Sequence, residues 1–201
     1  QMRTDSSGQR IHYPLSYGYN AGRWFVYNPN NHRVGDGTFV AGRVSRFRDV
    51  LDGLANTLAF AELKAWNPYF RDVEQQGQMV MPSDASEICA LGGSLKTNTG
   101  HTEWVDGRVH QSGFTKNFPP NHRILCSKDG IEYDVDFTNM REGKQTTAST
   151  YAADTSRSYH FGGVQTAMMD GSVRFVSDQI ERQLWQNLST RAGHEIVQVP
   201  E

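Results

Sequence analysis

The stretch from His160 to Glu195 constrains the chain more than any other, because it reads as a β-hairpin followed by a short helix. Val164-Gln165-Thr166-Ala167-Met168-Met169 and Ser172-Val173-Arg174-Phe175-Val176-Ser177 flank Asp170-Gly171. A two-residue Asp-Gly loop suits a type I′ hairpin, because both central residues need positive φ. That register sets Met168 opposite Val173 and Thr166 opposite Phe175, and with Val164 these side chains make one apolar-leaning face. Asp178 offers a cap with Glu181 three residues on. Ile180, Leu184 and Leu188 follow at helical spacing. Arg191 and Gly193 mark the helix end.

The same reading extends upstream. Nineteen Gly with 11% aromatics, and few long Leu/Ala/Glu runs, favour strands and turns. Tyr17 to Tyr27 reads as strand, glycine-permitted bend and strand, and Asn28-Pro29-Asn30-Asn31-His32 as a loop. Ser45 caps a helical turn over 46–51. Thr57 to Trp66 has helix-favouring residues, but its alternation predicts a strand buried on both faces over much of its length. Ser83-Asp84-Ala85-Ser86-Glu87 starts a short helix toward Cys89. His101 to Val109 reads as strand with an Asp106-Gly107 turn. Glu132 to Phe137 alternates strictly and reads as one half-exposed strand. The expected fold class is α+β, a predominantly antiparallel sheet with short helices, in a single domain over 1–201 with a hairpin-helix module at 160–195.

Twenty Lys and Arg against 22 Asp and Glu give a net charge of −2, with no block of like charge. That gives no electrostatic case for nucleic acid or an anionic membrane. No stretch approaches the roughly 20 apolar residues that span a bilayer. The opening Gln1-Met2-Arg3 reads as a trimmed start, with any export signal or anchor upstream. Cys89 and Cys126 fit neither a zinc knuckle nor a redox pair; two buried thiols and one disulfide both remain open.

Three constellations carry possible chemistry. His101, Glu103 and His110 form the most metal-like cluster, with His101 and Glu103 on one strand face and His110 returning across the hairpin. Asp134 and Asp136 share a strand face and are weak calcium ligands. His160 and Asp170 read as a catalytic or metal pair, against which the turn already explains Asp170. There is no nucleophile elbow, phosphate loop or dinucleotide fingerprint. Trp24, Tyr27, Trp66, Tyr69 and Trp104 are surface-prone rings that stack on sugars in a binding module and pack in the core otherwise.

Several blocks together carry a resemblance. They are Asp52-Gly53-Leu54-Ala55-Asn56-Thr57 through Glu62, Gly100-His101-Thr102-Glu103-Trp104-Val105-Asp106-Gly107 through His110, Thr150-Tyr151-Ala152-Ala153 with Thr155 through Val164 (including His160, Gly162 and Gly163), and Asp170-Gly171-Ser172-Val173-Arg174-Phe175. From about Tyr13 to Val197 the chain resembles a large bacterial prepilin-like family with an H-x9-DG C-terminal signature, catalogued as a domain of unknown function and also as a solute-binding family. The resemblance implies a type II secretion pseudopilin-like or type IV pilin-like head, without the long N-terminal hydrophobic helix of such proteins. It also implies extracytoplasmic location, membrane anchoring in the full length, pilin-like or secretion-machinery partners and occasional calcium near the C-terminal end. Ala55 departs from the usual Ser, Phe161 from the common Pro and His194 from the usual Gly. The last calls into question the backbone conformation that the pattern implies there.

The expected function is structural, with assembly rather than catalysis as its mechanism and no cofactor. Two rivals stand beside it. One is a solute- or glycan-binding module, which needs a pocket lined by Trp24, Trp66 or Trp104. The other is a metal-dependent hydrolase built on His101, Glu103 and His110.

Overall fold

Two strands and a bend do form at the predicted place, Tyr17–Asn20 (β1) and Phe25–Tyr27 (β2), but they enter different sheets. The computed structural model describes residues 4–73 and 77–195. Leu58–Glu62 is β3, Tyr69–Arg71 β4, Ala85–Leu91 α1 and Ser94–Lys96 β5. Val109–Ser112 is α2, Gly113–Phe114 β6, Leu125–Lys128 β7, Ile131–Asp134 β8 and Asp136–Thr138 β9. Thr150–Ala153 is β10, Gly163–Met168 β11, Val173–Ser177 β12 and Arg182–Asn187 α3.

One five-stranded sheet runs β12-β11-β3-β1-β6 and a second runs β2-β10-β9-β4-β5, with β7-β8 as a separate hairpin. The fold is α+β and mostly antiparallel; β1–β6 and β4–β9 are its parallel pairs. Among the described residues no helix is long and apolar enough to cross a membrane.

The first sheet is organised around β3. Leu58 and Ala61 are fully buried, as the two-faced pattern predicts, while Phe60 is exposed on the outer face. Leu58, Phe114, Val164, Met168, Trp185 and Leu188 form the core between this sheet and α3. Burying a side chain such as Leu58 contributes about 1.5–3 kcal/mol. Asn20 ties the layers together: its buried amide donates to the carbonyls of Leu58 and Ser189, both at 2.8 Å. The second sheet carries its own core, in which Trp24 stacks on Phe137 at 5.9 Å between ring centroids.

Cys89 and Cys126 are joined as a disulfide that fastens α1 to β7. Asp84 caps α1 as expected, its carboxylate accepting from the amides of Ser86 and Glu87.

The hairpin is present, but its register is one residue from the expected one. Ala167 lies opposite Val173, Thr166 opposite Arg174 and Gln165 opposite Phe175. The loop holds three residues, Met169-Asp170-Gly171. The Gly171 amide donates to Met168 O at 3.0 Å and the Met168 amide to Ser172 O at 2.8 Å. With Gly171 at φ +87° this is a three-residue hairpin closed by a left-handed glycine. The shift divides the expected apolar face. Val164, Thr166 and Met168 point inward, whereas Val173 and Phe175 lie outside, 70% and 50% exposed.

Other boundaries move for local reasons. Arg46, not Ser45, precedes the short 3-10 turn Phe47–Asp49, and Asp49 accepts its amide at 3.0 Å. Glu181, not Asp178, caps α3 by accepting from the Leu184 amide at 2.7 Å. The helix ends at Asn187, short of Arg191, whose guanidinium instead donates to the Gly35 and Gly37 carbonyls. Residues 131–138 are not one strand: the Val135 amide makes the last bond of the β7–β8 register, to Ile124 O at 2.9 Å, and the Asp136 amide then turns to Pro68 O at 2.8 Å, so β8 and β9 join different sheets. Trp24 and Tyr69 are core residues rather than surface rings, while Trp104 is exposed.

Candidate functional site

The cluster expected at 101–110 is not a hairpin and does not assemble. His101 adopts φ +54°, the 101–108 segment carries no strand and His110 sits on α2. The His101 ring is buried. A carbonyl can only accept, so its Nδ1–H donates to Gln111 O at 3.1 Å, leaving Nε2 3.7 Å from Asp136 Oδ2. Glu103 turns the other way and meets His12 at 3.3 Å. His110 packs its ring on Tyr69, 5.2 Å between centroids. Burial and the positive charge of neighbouring His101 and Arg141 hold its pKa well below the usual histidine range. Asp134 and Asp136 also separate, because the break at Val135 sends them to different sheets. Among the described residues no three His, Cys, Asp or Glu side chains converge as metal ligands.

What the sequence did not single out is Arg157, which joins those two aspartates. It donates Nη1 to Asp134 Oδ2 at 3.0 Å and Nη2 to Asp136 Oδ1 at 3.2 Å and Val135 O at 3.3 Å. Asp136 is buried and further accepts from Asn67 Nδ2 at 2.7 Å and the Thr155 amide at 3.0 Å. Burial opposes its ionisation, but Arg157 and the nearby His101 ring outweigh it and hold the carboxyl below its ordinary value. Asp154, fully buried, is pushed the other way. Burial, then the negative charge of Asp136, holds it well above the carboxylate range, and its oxygens meet the Thr138 hydroxyl at 3.0 and 3.2 Å. The signal for this network is an Asp or Arg inside otherwise strand-like runs, which only tertiary contact turns into partners.

Above Arg157 the surface opens into a cleft of about 800 Å³. Lys64, Arg123, Asp134, Tyr159, His160 and Phe161 line it. The His160 Nε2 lies 3.1 Å from Glu62 Oε1, while Glu62 Oε2 accepts the Gln165 amide at 2.7 Å. Lys64 Nζ sits 4.6 Å from the centroid of the Tyr159 ring. Phe161 is completely exposed. Of the two serines that line it, Ser158 donates its hydroxyl to Gly163 O at 2.6 Å and the Ser177 hydroxyl accepts the Gln179 amide at 3.1 Å. Neither Trp24, Trp66 nor Trp104 lines it.

Over residues 1–183 the chain matches the family described as "Protein of unknown function (DUF1559)". The chain belongs to that family. No curated protein and no solved structure matches it.

In this DUF1559 chain the motif residues serve the architecture. Asp52 accepts the amides of Gly193 and His194, both at 2.7 Å, and the Thr190 hydroxyl at 2.9 Å, fixing the segment after α3. Gly53 supplies φ +94°, and Asn56 reaches back to Asp52 O. Asp106 accepts the Arg108 amide at 3.1 Å, and Gly107 O accepts the Tyr19 hydroxyl at 2.8 Å. Gly162 O accepts the Asp178 amide at 2.9 Å. A Cβ on Gly163 would run into the Val176 carbonyl. Asp170 accepts the Ser172 amide at 2.9 Å and its hydroxyl at 2.7 Å, which holds its carboxyl below the ordinary value. His160 and Asp170 therefore hold different partners and form no pair. His194 stands at φ +61°, the left-handed region that Gly adopts without cost.

Proposed function

We propose that this chain is the extracytoplasmic, pilin- or pseudopilin-like head of a larger assembly, and that it acts by docking rather than by catalysis. One observation carries the reading. Among the described residues, the outer face of the β12-β11-β3-β1-β6 sheet is aromatic and uncovered: Phe60 and Phe39 pack at a tilt with ring centroids 5.2 Å apart, and Phe47, Val173 and Phe175 lie exposed beside them. Contiguous exposed apolar surface on a soluble domain marks an interaction site. Two further features support it. The Cys89–Cys126 disulfide suits an oxidising compartment. The motif residues are spent on internal hydrogen bonds, as a structural subunit requires.

Replacing Phe47 and Phe60 together by Ser in the full-length gene tests this. The head keeps its near-UV circular dichroism, and the high-molecular-mass complex extracted from the cell envelope is lost. A complex of unchanged size with the double variant overturns the reading.

The cleft beside His160 favours a second reading, a solute- or glycan-binding module. Its exposed Tyr159 and Phe161 rings beside Lys64 and Arg123 are the groups that would hold a sugar or an anion. Calorimetric titration with neutral and acidic oligosaccharides separates the two: saturable heat that Tyr159→Ala abolishes supports binding.

A further inference from the structure

The first sheet has two edges, and they differ. At one, the short β6 is followed by Thr115, which bridges to Thr155. At the other, β12 has no strand beyond it among the described residues. Bonded pairs alternate along an antiparallel ladder. The bonds Met168 N to Ser172 O and Asp178 N to Gly162 O bracket the β11–β12 pair, so Arg174 and Val176 face β11. Val173, Phe175 and Ser177 therefore turn their backbone groups outward, and the Ser177 carbonyl, which accepts the Ile180 amide at 3.2 Å, keeps a second lone pair. Proteins ordinarily blunt such an edge with Pro, Lys or a bulge. β12 has no Pro, Lys or bulge, its one charge is Arg174, and two of its five residues are exposed Val and Phe.

We propose that β12 is a self-pairing edge, through which two copies of this chain join antiparallel about Phe175 into one continuous sheet. In that register Phe175 meets Phe175 of the second copy and the two exchange both backbone hydrogen bonds. Val173 meets Ser177 of the second copy, and the relation repeats by the two-fold axis, as an isologous contact requires. The rings of the two Phe175 residues become a cross-strand aromatic pair on the outer face. Charge argues for a second copy as occupant. Arg174 and Asp178 have no salt-bridge partner among the described residues. Pairing about Phe175 places Arg174 opposite Val176 of the second copy and diagonal to its Asp178, within reach of a long side chain. The other diagonal neighbour is the second copy's Arg174, from which each guanidinium turns toward the carboxylate. The inference is independent of the cleft and stands whether or not the head belongs to a pilin-like assembly.

The contact is small, so the expected dimer is weak, with Kd roughly 0.1 mM. Sedimentation equilibrium over a concentration series reads it. Phe175→Pro removes an outward amide without touching the β11 ladder, and abolishes the dimer. Arg174→Asp weakens it roughly tenfold, and adding Asp178→Arg restores it. Restoration by the charge swap distinguishes pairing from a folding defect. A wild-type chain that stays monomeric through the series, a dimer indifferent to Phe175→Pro, or a swap that fails to restore, overturns the proposal.

Discussion

Lys116 is fully buried, with its amine 4.9 Å from the Trp185 ring centroid and without a hydrogen-bond partner among the described residues. Burial holds its pKa well below the usual lysine range, against the weaker pull of Asp36. The unfolded chain therefore binds the proton more tightly than the native one. Stability from this residue is full above the ordinary lysine pKa, and is lost as pH falls through the depressed native value. Lys116→Met removes the unpartnered amine while keeping the volume. Chemical denaturation at pH 7 should show a gain of about 1–3 kcal/mol, with a flatter rise of stability into the alkaline range. A loss would mean that the amine has a partner the geometry does not reveal. Lys116 was invisible to pattern reasoning, since its setting depends on Trp185, 69 positions away by number. His194 was the opposite case: its departure from Gly called the backbone conformation there into question, and the chain keeps the left-handed φ all the same.

At the scale of elements, the hairpin teaches where sequence reading stops. Both strands and the turn residues were legible in residues 164–177, yet the register was not. The Asp-Gly pair suits a two-residue loop in isolation. Tertiary bonds decide otherwise: the Met169 amide donates to Thr57 O at 2.8 Å and the Asp170 amide to Leu54 O at 3.2 Å, drawing Met169 into the loop. Since side-chain direction alternates, a one-residue slip moved Val173 and Phe175 from the core to the surface. Those residues are the ones the interaction argument needs. In a three-residue loop Gly171 alone holds the left-handed position, and a Cβ there meets nothing within 4 Å. Gly171→Ala should thus cost about 1–2 kcal/mol from conformation alone, read as a fall in thermal midpoint with an unchanged fold. A neutral substitution would restore the two-residue loop. The 101–110 segment failed for a related reason. Its alternation looked strand-like, but His101 is committed to Gln111 O and Asp136, and this holds its backbone at positive φ.

For the whole molecule, the legible part was the class, α+β with mostly antiparallel sheets, and the family through its ordered blocks. The division into two sheets was not legible, because it turns on single buried residues such as Val135 and on the Arg157 network beneath the cleft. The disulfide was open in the sequence and closed by geometry, since α1 and β7 meet only in the fold. What emerges is a scaffold of two apolar cores tied together by buried polar bonds, with an aromatic sheet face and a strand edge left exposed. A photo-crosslinking amino acid at Phe47, in cells expressing the gene, tests that account most directly. The account predicts ultraviolet-dependent adducts that mass spectrometry assigns to other copies of this chain or to pilin-like subunits. Efficient labelling of the head with no protein adduct at Phe47 would contradict it.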